Sequence, residues 1–436
     1  MKTYPSELEI QPLAKAPQCT VSVPGSKSIT NRALVLAALA SQKTACTLTG
    51  ALQSEDTEVM IECLNRLGFR LDVDWDATRI IVHRNPTGRI IPAENADLFV
   101  ENSGTTMRFL TAMVSLGSGR YRLDGIPRMR ERPIGDLLVA LKQVGIDAIC
   151  DAGNDCPPVT IVSKGWPKVE ALTVSIPSGT SSQFLSGLLM AAAFSGTYTW
   201  VYPTGALVSE PYVEMTELML SAWHRSVIHF DNGEFEICLD GVVQGLDSYA
   251  IEPDASAASY FFAAAAITGG LVTVRGMKPD MLQGDVKFVD ALEMMGCRIE
   301  VCDEGITVHG KPLRGIDIDM NAISDTVMTL AAVACFAEGS TTIRNVGHIR
   351  HKETDRIAAI ANELRKLGAG VEEYPDGLRI VPGPLHGARI ETYNDHRMAM
   401  SLALVGLRVP GVVILNPGCV AKTYPGFWHD FEALRV

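Results

Sequence analysis

Six times along this 436-residue chain an Ala-, Leu- and Met-rich stretch of helical length is apolar nearly all round. The stretches begin near Arg32, Met107, Gln183, Ala257, Thr326 and His396, so successive starts are 69 to 76 residues apart. The run Ala263–Ala266 shows the pattern most plainly. A helix with no polar face has to be buried on every side. A period of this length exceeds the common solenoid repeats, and each unit is large enough to be an α/β subunit with its own sheet. The expected architecture is therefore a set of buried helices enclosed by sheets and amphipathic helices.

The remainder of each unit supports this reading. A short alternating, β-branched strand follows each apolar helix, at Thr44–Thr49, Arg120–Asp124, Tyr198–Tyr202, Leu271–Arg275, Thr341–Asn345 and Val412–Leu415. Five units then carry an amphipathic helix, at Asp56–Leu67, Ile134–Val144, Tyr212–Trp223, Val286–Met295 and Asp355–Leu367. Four of these stop at a glycine, Gly68, Gly145, Gly296 or Gly368, the usual residue after a helix end. A further strand such as Ile299–Cys302 comes next, and the sixth unit is cut short at Phe427–Leu434. The natural division is three units in each of two domains, 22–250 and 251–436, with residues 1–21 returning to the second.

Composition narrows the function. Lys and Arg number 38 against 50 Asp and Glu, a net charge of −12, which argues against a nucleic-acid or acidic-membrane surface. No apolar run approaches a membrane span, and Met1–Ile10 has neither signal nor transit character. Ten cysteines without a Cys-x-x-Cys pair point to reduced thiols of a cytoplasmic protein. His348 and His351 form one close histidine pair with no third ligand evident nearby, so no metal site is expected. Nothing in the sequence demands more than a monomer.

Polar residues gather where the buried helices begin: Lys27, Ser28 and Arg32; Asn102, Gly104, Thr105 and Arg108; Ser181, Ser182 and Gln183; Asp254 and Ser256; Asp325; and Asn394, Asp395, His396 and Arg397. Taken singly, Ser182, Asp254 or Asp325 reads as an ordinary N-cap. Capping does not explain Lys27, Arg32, Arg108 and Arg397, because cations oppose the dipole at a helix N-terminus. Such placements in an acidic protein point to a bound polyanion. Further cations lie in the loops Pro127-Arg-Met-Arg-Glu-Arg-Pro133, His351-Lys-Glu-Thr-Asp-Arg356 and Ala421-Lys-Thr-Tyr-Pro425. Other phosphate motifs fail. Gly25-Ser26-Lys27-Ser28 lacks both P-loop glycines, with Ser26 and Val21 in their places. No dinucleotide glycine fingerprint follows a strand, and no hydrolase elbow is present.

Six motifs in order now carry a resemblance: Pro24-Gly-Ser-Lys-Ser-Ile-Thr-Asn-Arg-Ala-Leu34, Asn102-Ser-Gly-Thr-Thr-Met-Arg108, Arg128-Met-Arg-Glu-Arg-Pro-Ile134, Ser181-Ser-Gln-Phe-Leu185, Lys352-Glu-Thr-Asp-Arg356 and Asn394-Asp-His-Arg-Met-Ala-Met400. From about Ile10 to the C-terminus the chain resembles the 3-phosphoshikimate 1-carboxyvinyltransferase (EPSP synthase) family. That resemblance implies a two-domain, inside-out α/β barrel of six βαβαββ repeats, three per domain, with the chain crossing between domains twice. It implies a cytoplasmic transferase of the shikimate pathway, serving chorismate and aromatic amino-acid biosynthesis. The enzyme moves the enolpyruvyl group of phosphoenolpyruvate to the 5-hydroxyl of shikimate 3-phosphate in the interdomain cleft, without metal or organic cofactor.

By the same resemblance, Lys27 contacts both substrates and is catalytic together with Asp325 and Glu353. Ser28 and Arg32 hold the shikimate carboxylate side, and Ser181, Ser182, Ser209 and Lys352 its phosphate side. Gly104, Arg132, Gln183 and Lys422 face the phosphoenolpyruvate phosphate, with Gln183 also reaching shikimate 3-phosphate. Arg356 and Arg397 face the phosphoenolpyruvate carboxylate, which suits a guanidinium fork. Asp325 is the base toward the 5-hydroxyl, and Glu353 the acid that protonates the methylene carbon. Two departures stand out. His348 occupies the place of a frequent Asn on the shikimate phosphate, and Thr106 with Phe109 replace the family's frequent Ala and Pro beside the phosphoenolpyruvate site, where the inhibitor glyphosate binds. Two alternatives remain. The same-fold transferase acting on UDP-N-acetylglucosamine usually has a cysteine in the loop matching Pro127–Pro133, and none is present here. A non-catalytic anion-binding protein of this fold would lack the Asp325 and Glu353 pair.

Overall fold

The computed structural model describes residues 4–238 and 245–435. Residues 1–3, 239–244 and 436 of the two expected domain spans lie outside the described residues. The chain divides into two compact units, Gly25–Ile251 and Met1–Pro24 with Glu252–Val436.

Three apolar helices fill the interior of the Gly25–Ile251 unit: Lys27–Ala40, Gly104–Val114 and Ser182–Ser195. Every residue of the second is buried, and in the third Gln183 alone is not. Outside them lie three four-stranded sheets. Each sheet turns one face inward, as the alternating burial of Ala171–Pro177 shows. Helices within and sheets without make the unit an inside-out α/β arrangement. The second and third interior helices are each the crossover between parallel strands. Asn95–Phe99 pairs in parallel with Ser118–Asp124 around Gly104–Val114, and Ala171–Pro177 pairs with Tyr198–Thr204 around Ser182–Ser195. An antiparallel hairpin then completes the sheet, for example Asp147–Cys150 with Val159–Lys164.

The second unit repeats the plan around Ala255–Thr268, Val327–Ala334 and His396–Gly406. Two of its sheets have four strands and one has three, the last completed by Glu7–Ile10 along Val412–Leu415. The protein is thus an α/β fold of six repeats, three per unit. Among the described residues no helix is long and apolar enough to cross a membrane.

Two strands break the local order. Gln18–Val21 precedes the first interior helix, yet it pairs in parallel with Leu271–Arg275. The matching strand of the first repeat is Ser248–Ala250, beside Cys46–Thr49. The chain therefore leaves one unit after Pro24 and re-enters it after Ile251. A Cβ on Gly25 would stand 1.8 Å from the Gly50 carbonyl oxygen, so only glycine fits at the crossing.

Several elements differ in extent from the sequence reading. The amphipathic helix expected at Val286–Met295 is a 3₁₀ turn, Gly284–Lys287, followed by a helix, Phe288–Met294. The turn faces Asp285 inward, where it accepts the Ser256 hydroxyl. The helix expected near Thr326 is short, Val327–Ala334, and follows a 3₁₀ segment kinked at Ile323. The glycines after the amphipathic helices, Gly68, Gly145, Gly296 and Gly368, all have φ between +83° and +114°, as a helix-ending residue of that kind requires.

Candidate active site

In the Gly25–Ile251 unit the candidate residues form three groups. Ser26 caps the Lys27–Ala40 helix, leaving the Lys27 side chain to reach Asp56, with Nζ 3.4 Å from Oδ2. Asp56 is itself buried in the first turn of the next helix. Arg32 lies one turn beyond Ser28 and is fully buried. Its Nη1 donates to the Ser28 carbonyl (3.1 Å), Nε to Thr216 Oγ1 (2.7 Å), and Nη2 to the Tyr212 carbonyl (2.8 Å) and Ser186 Oγ (3.3 Å). The guanidinium also sits 5.0 Å from the Phe109 ring centre. Every one of these partners is neutral, and burial lowers the Arg32 pKa to about 10. The side chain remains a cation at neutral pH, held by dipoles rather than by a countercharge.

Gly104 opens the second interior helix where two guanidiniums converge. A Cβ added there would lie 2.3 Å from Arg108 Nη1 and 2.5 Å from Arg132 Nη2. Arg108 Nη2 donates to the Pro133 carbonyl (3.1 Å), and Arg132 Nη1 to the Asn102 carbonyl (3.1 Å). The three loop arginines part company here. Arg130 makes a forked bond to Asp124 and Arg128 pairs with Glu131, both at the surface, while Arg132 alone is buried. Gln183 bonds Thr105 Oγ1 at 3.3 Å, linking the second and third helix starts. Ser181, not Ser182, accepts the capping N–H, from Gln183. Ser182 is buried. Ser209 is also buried and has φ +52°, a left-handed conformation uncommon for serine.

The other unit gathers its cations around carboxylates. Arg356, at the start of the Arg356–Lys366 helix, is fully buried. It donates from Nε to Asp395 Oδ2 (2.8 Å), from Nη1 to Asp325 Oδ1 (3.2 Å), and from Nη2 to Glu353 Oε2 (2.8 Å). Burial works against its charge, but Asp395, Glu353 and Asp325 outweigh that and raise its pKa. Arg397 Nη2 donates to Asp325 Oδ2 at 2.7 Å, and its backbone N–H to Asp395 Oδ1 at 2.9 Å. Lys422 Nζ lies 3.9 Å from Glu353 Oε1. Asp325 is therefore not a cap. Thr326 holds that position and makes no side-chain capping bond, whereas Asp254 does cap its helix. His348 is buried, and burial together with Lys352 and Arg356 lowers its pKa to about 3, against an opposing pull from Asp325. The imidazole is neutral at physiological pH. Lys352 is partly buried next in sequence to Glu353.

Three partners escaped the sequence reading as ligands. Asp395 was read among the polar residues of a helix start, and it does cap His396–Gly406, but it also anchors Arg356. Asp56 lies within an ordinary capping-box helix, and Thr216 in the middle of an amphipathic one. No local pattern marks either as the partner of a buried cation. Among the described residues, no cluster of three or more His, Cys, Asp or Glu side chains is arranged to hold a metal ion.

A family model for EPSP synthase (3-phosphoshikimate 1-carboxyvinyltransferase) matches residues 14–431. A protein from Nostoc punctiforme named 3-phosphoshikimate 1-carboxyvinyltransferase is 48% identical over 97% of this chain and 98% of its own. One of the same name from a Shewanella species is 43% identical over 99% and 100%. Among solved structures, an EPSP synthase from Acinetobacter baumannii superposes with a TM-score of 0.80 at 25% identity, over 97% of both chains. The enolpyruvyl transferase NikO of Streptomyces tendae shares the fold, with a TM-score of 0.74 at 20% identity over 98% of this chain and 96% of its own. With its fold, its motifs and nearly its full length in agreement, this chain belongs to the EPSP synthase family.

Proposed function

We propose that the side chains described above carry out the family's reaction, enolpyruvyl transfer from phosphoenolpyruvate to shikimate 3-phosphate, with substrate-binding groups in both units and the proton-transfer pair in one. The observation that carries this is the Arg356 guanidinium, which holds Asp325 on one nitrogen and Glu353 on another. Two carboxylates flanking one fixed cation provide a base and an acid at a set separation. Glu353 delivers a proton to the methylene carbon of phosphoenolpyruvate, making its neighbour electrophilic. The shikimate 5-hydroxyl adds there as Asp325 takes its proton, giving a tetrahedral ketal phosphate. Reversal of the proton roles removes a methyl proton, expels phosphate and leaves the enolpyruvyl ether.

The cations orient the partners and stabilise developing charge. Arg132 and Lys422, with Gly104 and Gln183, take the phosphoenolpyruvate phosphate, and Lys27 contacts both substrates. Arg356 and Arg397 take its carboxylate. Arg32 and Ser28 take the shikimate carboxylate side, and Ser181, Ser182, Ser209, Lys352 and neutral His348 the shikimate phosphate side. A neutral imidazole among cations can still donate one hydrogen bond to a phosphate oxygen. The enzyme works as a cytoplasmic monomer on small molecules, with no nucleic-acid or membrane partner and no cofactor.

The test is phosphate release by the purified protein with phosphoenolpyruvate and shikimate 3-phosphate, each omitted in turn, with and without EDTA. Release that requires both and survives EDTA supports the reading. Release only with UDP-N-acetylglucosamine as acceptor moves the chain to the alternative transferase, and silence with both acceptors removes the proton-transfer roles.

A further inference from the structure

Glu363 lies seven residues after Arg356 on the same helix, two turns along and on the same side. Its side chain is fully buried, an unusual place for a carboxylate. Four hydrogen bonds account for it. Lys366 Nζ approaches both oxygens, at 2.8 and 2.9 Å. The Tyr393 hydroxyl donates to Oε1 at 2.8 Å, and the Glu391 backbone N–H donates to Oε2 at 3.0 Å. Two of the four come from the segment that leads into the last interior helix.

That segment is strained. Tyr393 and Asn394 both have φ +53°. Asparagine tolerates the left-handed region, but a bulky aromatic residue rarely enters it unless its surroundings hold it there. Restraints on Tyr393 include its hydroxyl bond to Glu363 and its own N–H, which donates to Glu391 Oε1 at 3.1 Å. The left-handed pair leads directly to Asp395, whose N–H closes a turn onto the Thr392 carbonyl at 2.8 Å. Asp395 in turn binds Arg356 at one end of the Glu363 helix and caps the helix that carries Arg397. The Arg356–Lys366 helix therefore grips the 391–395 segment twice, at Arg356 and, two turns on, at Glu363.

We infer that Glu363 is a positioning residue, which holds the left-handed turn at Tyr393 and Asn394 so that Asp395 fixes Arg356 and Arg397 in one relative orientation. This rests on the reading of those two arginines as the clamp on the phosphoenolpyruvate carboxylate. A clamp of two planar guanidiniums depends on their mutual angle, and neither arginine sets that angle alone.

The full-length variants Tyr393→Phe and Glu363→Gln test it, with Arg397→Ala as reference. Tyr393→Phe removes one hydroxyl and leaves the ring. The expected result is a rise of about tenfold in the KM for phosphoenolpyruvate in Tyr393→Phe and a larger one in Glu363→Gln, with the KM for shikimate 3-phosphate changed less than twofold in both. A carboxylate with only a structural role would lower Tm without splitting the two KM values. Should Glu363→Gln not fold, Tyr393→Phe decides alone. Unchanged or equally raised KM values in folded Tyr393→Phe overturn the inference, provided Arg397→Ala raises the phosphoenolpyruvate KM selectively. If Arg397→Ala fails to do so, the clamp reading itself is wrong.

Discussion

Arg32, on an interior helix, and Arg356, at the start of an amphipathic one, are both fully buried, and they are held in opposite ways. Arg32 is surrounded by two backbone carbonyls, two hydroxyls and a phenyl ring. Arg356 is surrounded by three carboxylates. A buried cation without a countercharge pays for desolvation throughout the life of the folded protein, and burial lowers its pKa to about 10. The carboxylates of Arg356 drive its pKa the other way, above the ordinary arginine value. The first arrangement leaves positive charge for a ligand to neutralise. The second already faces carboxylates, two of which the proposed function makes the base and the acid. In the proposed function Arg32 is one of the groups that attract a substrate anion, and the carboxylates on Arg356 supply the acid and the base in fixed positions.

The largest test of this contrast is Glu353→Gln. It leaves Arg356 two carboxylates and removes the proton donor, so kcat should fall by about 10²–10⁴, measured as phosphate release at saturating substrates. A loss below about tenfold would remove Glu353 from the chemistry. Next, Asp395→Ala should destabilise the protein by about 3–5 kcal/mol, because it strips a buried pair of one partner. Arg32→Met, by contrast, removes a desolvated charge that had no countercharge and should change stability by less than about 2 kcal/mol, while weakening shikimate 3-phosphate binding strongly. Denaturant unfolding with a calorimetric Kd separates the two, and similar stability losses would erase the comparison. Third, Arg132→Ala should raise the KM for phosphoenolpyruvate at least tenfold and that for shikimate 3-phosphate less than threefold, a loss of roughly 1.4 kcal/mol or more in one binding step.

The last effect is on pH dependence. His348 has a folded pKa of about 3 against about 6.5 unfolded. The unfolded chain thus binds more protons between those values. The stability that His348 contributes is present above pH 6.5 and lost as pH falls toward 3, by about 2 kcal/mol at pH 5. His348→Asn should flatten that part of the stability profile, and an unchanged acid limb would mean that His348 is not held neutral.

The repeat was legible because an all-apolar helix admits one environment, and its recurrence counts the units. The return of residues 1–21 to the second unit is legible, but the strand pairings it entails, Gln18–Val21 with Leu271–Arg275 and Ser248–Ala250 with Cys46–Thr49, are not. Strands of three or four residues carry almost no local signal, and each partner lies some 200 residues or more away. The candidate site was legible in its residue types, because cations at helix starts contradict the dipole. The residues that hold those cations were not. Asp395 reads as a cap and is one, which conceals its bond to Arg356. Asp325 reads as a cap and is none, because the kink at Ile323 turns it toward two arginines. Arg128, Arg130 and Arg132 are indistinguishable by spacing. What separates them is tertiary: Asp124 and Glu131 hold the first two at the surface, and the packing around Gly104 buries the third.

In the proposed mechanism Asp325 and Glu353, the carboxylates held on Arg356, perform the proton transfers, and the cations of both units bind. The most direct measurement is single-turnover phosphate release by Asp325→Asn alongside a calorimetric Kd for shikimate 3-phosphate. Release slowed by at least a hundredfold with that Kd changed less than threefold is the predicted result. A near-wild-type rate, or a Kd weakened as much as the rate, would contradict the assignment of Asp325 to proton transfer rather than binding.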